Sequence, residues 1–150
     1  MTAVPPTLDR VDIMTAAMSA LLEDGAAALG DRDAVGIAHI RCTTPGMVVG
    51  LPVLKEVFGR MGARVRPNVS DGEHVGLGAI IADIGGPTAA IRGASPTAIR
   101  FLTKLSAVAS GFAERDPGDP LEVWAGEVGR LSPVAPVGDA GPSFELEVDP

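Results

Sequence analysis

Arg100 and Lys104 lie four residues apart in "ASPTAIRFLTKLSAVASG", a spacing that places both cations on one stripe of a helix, with Ala107 and Gly111 continuing it. Arg92 enters from the turn before. Together the three would ring a carboxylate or a phosphate, each arginine gripping a planar anion bidentately and the lysine acting as a point charge. Backbone donors from a helix starting at Ser95 would add to them. The alternative is a solvated helix face beside an apolar stripe of Ile99, Leu102, Leu105, Val108 and Phe112.

His39 and Arg41 alternate onto one face of the strand-like "VGIAHIRC", where a histidine titrating near neutral pH would serve as a general acid or base. Arg41 would then hold an acidic substrate beside it. Cys42 points to the other face and reads as a small buried apolar residue, with no base beside it to make a thiolate. His74 falls in a glycine-rich turn and is expected to be exposed. Glu23 and Asp24 diverge at a helix end, which disfavours a shared-proton pair. "GGPTAAIRG" lacks the spacing of a phosphate loop, and Ser106, Ser110 and Gly111 suit close helix approach better than nucleophilic attack.

These residues must be positioned by a chain of 150 residues, 46% apolar but only 3% aromatic, enough for one domain with a core of small aliphatic side chains. The net charge of -7 disfavours a nucleic acid partner. One cysteine and two distant histidines make a poor metal set, so no metal or cofactor is expected. No apolar run reaches membrane-spanning length, and "MTAVPPTLDR" lacks the pattern of a secretory leader. The expected location is cytoplasmic.

The first helix is expected over "TLDRVDIMTAAMSALLEDG", with Thr7 as N-cap, Gly25 as stop and Val11, Met14, Met18, Leu21 and Leu22 on its apolar face. "AVGIAHIRC" and "GMVVGL" read as a pair of strands, and "PVLKEVFGRMG" as a helix with Pro52 in its first turn. Pro67 puts "ARVRPNV" at a sheet edge. Another strand is expected from Ala79 to Ile84. Gly93 and Pro96 are expected to break or kink the next helix near Arg92, with Ser95 and Pro96 restarting it. The last 35 residues, 116–150, read as a Pro-rich tail in which "LEVWAG" and "SFELEV" are strand-like and Trp124 and Phe144 pin the tail to a body of residues 1–115.

Three stretches in order resemble one family, the N-terminal domain of nicotinate-nucleotide pyrophosphorylase, or quinolinate phosphoribosyltransferase. They are "ALLEDG", "PGMVVGLPVLKEVFGRMG" and "DGEHVGLGAIIADIGGPTAAIRGASPTAIRFLTKLSAVAS". The Asp-Gly-x-x-Val-x-x-Gly turn also fits lipoyl-type carrier domains, but "AIIADIGG" has no carrier lysine. The resemblance implies an α+β fold, a hammerhead-like sandwich with a β excursion over residues 63–86 and three main helices. It also implies that the domain works as a dimer cap over a phosphoribosyl pyrophosphate barrel. The stretch that opens that barrel in the family has no counterpart after Ser110. The family's carboxylate-binding arginine aligns with Pro96, and its asparagine with Arg100. The expectation is therefore a domain repurposed as an enzyme or binder for a small organic acid or specialised metabolite, acting as a homo-oligomer. The alternative is an accessory cap for a separate barrel.

Overall fold

The computed structural model describes residues 9–23, 34–131 and 141–149. Helix α1 (Arg10–Glu23) leads to strand β1 (Val35–Thr44), the short β2 (Gly46–Val48) and helix α2 (Leu51–Arg60). The excursion β3 (Arg64–Pro67), β4 (Glu73–Val75) and β5 (Ile80–Pro87) precedes the long helix α3 (Thr88–Ala109), then helix α4 (Pro120–Leu131) and strand β6 (Ser143–Val148). The fold is α+β, as the sequence implied.

Four strands form an antiparallel sheet in the order β3-β5-β1-β6, while β2 and β4 pair in a separate two-stranded sheet. β1 and β2 are therefore both strands but do not pair with each other. Pro67 does lie on an edge strand. Alternation in β1 sends Ala38, Ile40 and Cys42 fully into the core, and Ala82, Ile84 and Phe144 join them from the neighbouring strands. All of these lie on the helix-bearing face. The opposite face carries His39, Arg41, Asp83 and Glu147, and among the described residues no helix packs on it.

The helices depart from expectation in four places. α1 buries Ile13, Ala17, Ala20 and Leu21, whereas Val11 and Met18 are 65% and 49% exposed. The buried face is thus set by Ile13, Ala17, Ala20 and Leu21, and Met14 is only half-buried. Its N-cap is Asp9, whose Oδ1 accepts from Val11 N at 2.8 Å; Thr7, Gly25 and Asp24 lie outside the described residues, as do the side chains of Leu22 and Glu23. α3 runs unbroken through Gly93 and Pro96. Pro96 sits on the exposed side, and the Arg92 carbonyl left without its amide donor accepts from Ser95 Oγ at 3.4 Å.

"LEVWAG" is helix, not strand. Leu121, Trp124, Ala125 and Val128 are buried at helical spacing, Pro120 takes the first position, and Asp119 Oδ1 caps Leu121 N at 2.9 Å. That makes four helices among the described residues rather than three. α4 lies close enough to α3 that a Cβ on Gly129 would fall 2.0 Å from the Ala109 carbonyl oxygen. "SFELEV" is the strand β6, and Phe144 and Trp124, each 7% exposed, are both in the core.

Two polar side chains, Ser106 buried and Asp71 half-buried, tie the layers together. Ser106 Oγ accepts from Val49 N at 3.0 Å and donates to Val49 O at 3.2 Å, fastening α3 to the chain that enters α2. Asp71 Oδ1 accepts from Gly50 N at 2.9 Å and Leu51 N at 3.0 Å, capping α2 from a distant loop. Burial pushes the Asp71 carboxyl above its ordinary range against the pull of those two donors.

Candidate functional site: a groove between two helices

Arg100 and Lys104 are both exposed on α3 and line one groove of about 460 Å³ with Phe101, with Ala16, Ser19 and Ala20 of α1, and with Asp119 at the start of α4. Each lining residue has its place from local structure. The i, i+4 spacing sets the two cations one turn apart on α3. The alanines of α1 keep that wall low, since a larger side chain at Ala16 or Ala20 would fill the gap. Asp119 is held by its capping bond to Leu121.

Chemically the groove is lined by two cations, an aromatic ring, alanine methyls, a hydroxyl and a carboxylate. Such a site suits a small, flat, partly apolar molecule with a carboxylate at one end. The carboxylate of Asp119 calls for a hydrogen-bond donor on the ligand and disfavours a polyanion. Sequence reasoning paired Arg100 and Lys104, and the two do line one groove. It did not name Ser19 and Asp119, whose place there depends on how α1 and α4 dock on α3.

Arg92 does not join them. It lies eight residues back, about 12 Å along the helix, in a separate cleft with Val35, Ile37, Thr88 and Asp149.

His39 and Arg41 lie on the sheet face away from the groove, and His39 meets the Arg92 cleft only through Asp149. His39 Nδ1 is 2.6 Å from Asp83 Oδ1 and Nε2 is 3.1 Å from Asp149 Oδ2. The bond with Asp83, then that with Asp149, raises the His39 pKa, and His39 holds Asp83 below the usual carboxylate range. Asn68 Nδ2 donates to the other oxygen of Asp83 at 3.3 Å. Arg41 donates from Nε and Nη2 to Glu147 Oε2 at 3.0 and 2.8 Å, and from Nη1 to the Gly78 carbonyl at 3.2 Å. With both ring nitrogens held by carboxylates, His39 is built as a strut between β5 and the end of β6.

Cys42 is buried, donates from Sγ to the Thr44 carbonyl at 2.9 Å, and has its thiol pKa raised by desolvation. It is a thiol at neutral pH. His74 is not in an exposed turn: it lies on β4 opposite Met47, and its Nε2 is buried without a hydrogen-bond partner. Among the described residues no cluster of histidine, cysteine and acidic side chains has the makings of a metal site, and no helix is long and apolar enough to cross a membrane.

Residues 12–106 match the family described as quinolinate phosphoribosyl transferase, N-terminal domain. Solved structures are similar beyond those limits. The crystal structure of NadC from Streptococcus pyogenes superposes with a TM-score of 0.70 at 18% identity, over 87% of this chain and 54% of that one. The nicotinate-nucleotide pyrophosphorylase of Francisella tularensis gives 0.63 at 20% identity over 73% and 42%, and that of Ehrlichia chaffeensis 0.58 at 15% over 81% and 54%. The chain spans about half the length of these solved relatives, and at such identities the likeness is one of fold. No curated protein matches it by sequence.

Proposed function

The chain belongs to the quinolinate phosphoribosyl transferase N-terminal domain family, and from that premise we propose that it binds a small aromatic acid in the groove between α1 and α3. The observation that supports this is the convergence of Arg100, Lys104, Phe101 and Asp119 on one opening. Its ligand carries a carboxylate for the two cations, a flat ring for Phe101, and a hydroxyl, amino or protonated ring nitrogen for Asp119. Phosphoribosyl pyrophosphate, with its clustered negative charge, fits this groove poorly. His39 and Arg41 act in this reading as sheet struts, not as catalysts.

A second reading, a cap lent to a separate barrel, draws on the chain's covering about half of its solved relatives and on the face that no described helix covers. The two are separated by thermal melts with quinolinate, nicotinate, 3-hydroxybenzoate and phosphoribosyl pyrophosphate, on the wild type and on Arg100→Ala/Lys104→Ala. Ligand binding to the folded state raises the melting temperature. A rise with one of the aromatic acids that disappears in the double variant supports the groove. A well-folded chain that none of the acids stabilises argues for the cap.

A further inference from the structure

Strand β6 ends before it reaches the first residues of β1. Its register with β1 closes at Ala38↔Val148, and one further bond, from Asp149 N–H to the Ile37 carbonyl, finishes the ladder. Along an antiparallel strand, alternate residues turn both backbone groups to the same side. Val35, two residues from Ile37, therefore turns its N–H and C=O to the side of β6, where no strand continues among the described residues. The start of α3 borders the same opening, and the three elements enclose a cleft of about 640 Å³.

Opposite charges face this cleft without closing on each other. Thr88 and Arg92, one turn apart on α3, bring a hydroxyl and a guanidinium, and Asp149 brings a carboxylate. Among the described residues neither the Thr88 hydroxyl nor Arg92 has a hydrogen-bond or ion-pair partner. Asp149 commits Oδ2 to His39 Nε2 at 3.1 Å, which leaves Oδ1 for a ligand. Val35 and Ile37, whose side chains are 77% and 55% exposed, flank the opening with apolar surface. Gly36 also lines it, and since a Cβ there would lie 3.2 Å from Thr88 Oγ1, the glycine keeps the approach to that hydroxyl clear.

Such a cleft selects against ions of one sign. An anion drawn to Arg92 would meet Asp149, and a cation drawn to Asp149 would meet Arg92. A molecule with both charges satisfies both, through charge-assisted hydrogen bonds. The Val35 N–H and the Thr88 hydroxyl are further donors for its carboxylate, and the Val35 carbonyl is a further acceptor for its ammonium. An aliphatic side chain on the same molecule would cover the exposed methyls of Val35 and Ile37.

We propose that this cleft is a second ligand site, separate from the α1–α3 groove, and that it binds a free α-amino acid with an aliphatic side chain. The carboxylate lies on Arg92 and Thr88, the ammonium on Asp149 Oδ1, and the side chain against Val35 and Ile37. His39 is a positioning residue for it, because it fixes the Asp149 carboxylate from the other oxygen.

The test is a ¹H–¹⁵N NMR titration of the labelled protein with L-leucine, N-acetyl-L-leucine and L-leucinamide, on the wild type, Arg92→Gln and Asp149→Asn, each checked by circular dichroism. Leucine should give saturable shifts in the millimolar range at Val35, Ile37, Thr88 and Asp149. The two derivatives each lack one charge and should bind at least about tenfold more weakly, as the loss of a charge-assisted contact implies. Arg92→Gln, at an exposed position, should keep the fold and lose leucine to the same extent, and so should Asp149→Asn. The inference is overturned if leucine shifts nothing in this range, or if it shifts Ala20 and Phe101 of the groove instead. It is overturned equally if the derivatives match leucine, or if a folded Arg92→Gln binds leucine like the wild type.

Discussion

His39 Nδ1 lies 2.6 Å from Asp83 Oδ1 across directly opposed positions of β1 and β5, and the same ring reaches Asp149 just past the end of β6. One imidazole thus braces three strands. His39 is raised, so its pairing contributes fully below about pH 6.5 and is lost as pH climbs through its higher folded value. Asp83 is lowered, so its share is present above about pH 3.9 and is lost as pH falls through its depressed folded value. The melting-temperature gap between wild type and His39→Gln should be widest near pH 5 to 6 and shrink toward pH 9. A gap that stays constant over that range would show that the pair is not what His39 contributes.

Gly129 and Gly59 are both helical glycines with opposite surroundings. Alanine at 129 would drive its methyl into the Ala109 carbonyl and should cost about 2 to 3 kcal/mol, as overpacking typically does. Alanine at 59 meets nothing and should gain roughly 0.5 to 1 kcal/mol from helix propensity. Urea denaturation of the two variants measures both signs.

Pro96 withholds an amide from the Arg92 carbonyl, which Ser95 Oγ only partly replaces at 3.4 Å. Pro96→Ala should therefore stabilise the protein, by about 1 to 3 kcal/mol on the cost of a proline inside a helix. Circular dichroism melts of Pro96→Ala and of Ser95→Ala, which should lower stability slightly, check the assignment.

Asp71 caps α2 through two amides. Asp71→Ala removes both acceptor contacts and should cost about 1 to 2 kcal/mol, while Asp71→Asn keeps a carbonyl oxygen and should cost less. Chemical denaturation of the pair decides whether the cap or the charge matters.

Much of the fold is legible in the sequence because its signals are local. β1 announces its faces by alternation, α2 its start by Pro52, and β3 its edge position by Pro67. The family resemblance supplies the architecture that these pieces alone do not. Local rules fail where tertiary contact overrides them. Pro96 has the signature of a breaker, yet it sits on the solvent side of α3 with Ser95 beside it to serve the orphaned carbonyl. "LEVWAG" looks extended because its surroundings are proline-rich, although the apolar period of Leu121, Trp124, Ala125 and Val128 and the Asp119-Pro120 start point to a helix. In the groove, Arg100 and Lys104 are placed by helical spacing alone. Arg92 groups with them only in sequence, where proximity conceals the two helical turns between, and Ser19 and Asp119 come from elements whose docking no spacing rule gives.

Binding of an aromatic carboxylate in the α1–α3 groove is what we propose for this domain. The most direct measurement is a two-dimensional ¹H–¹⁵N NMR titration of the labelled protein with nicotinate and 3-hydroxybenzoate. Saturable shifts should concentrate on Ser19, Ala20, Arg100, Phe101 and Lys104 and vanish in Arg100→Ala/Lys104→Ala. Shifts centred instead on Arg92 and Asp149, or none at millimolar ligand, would contradict the claim.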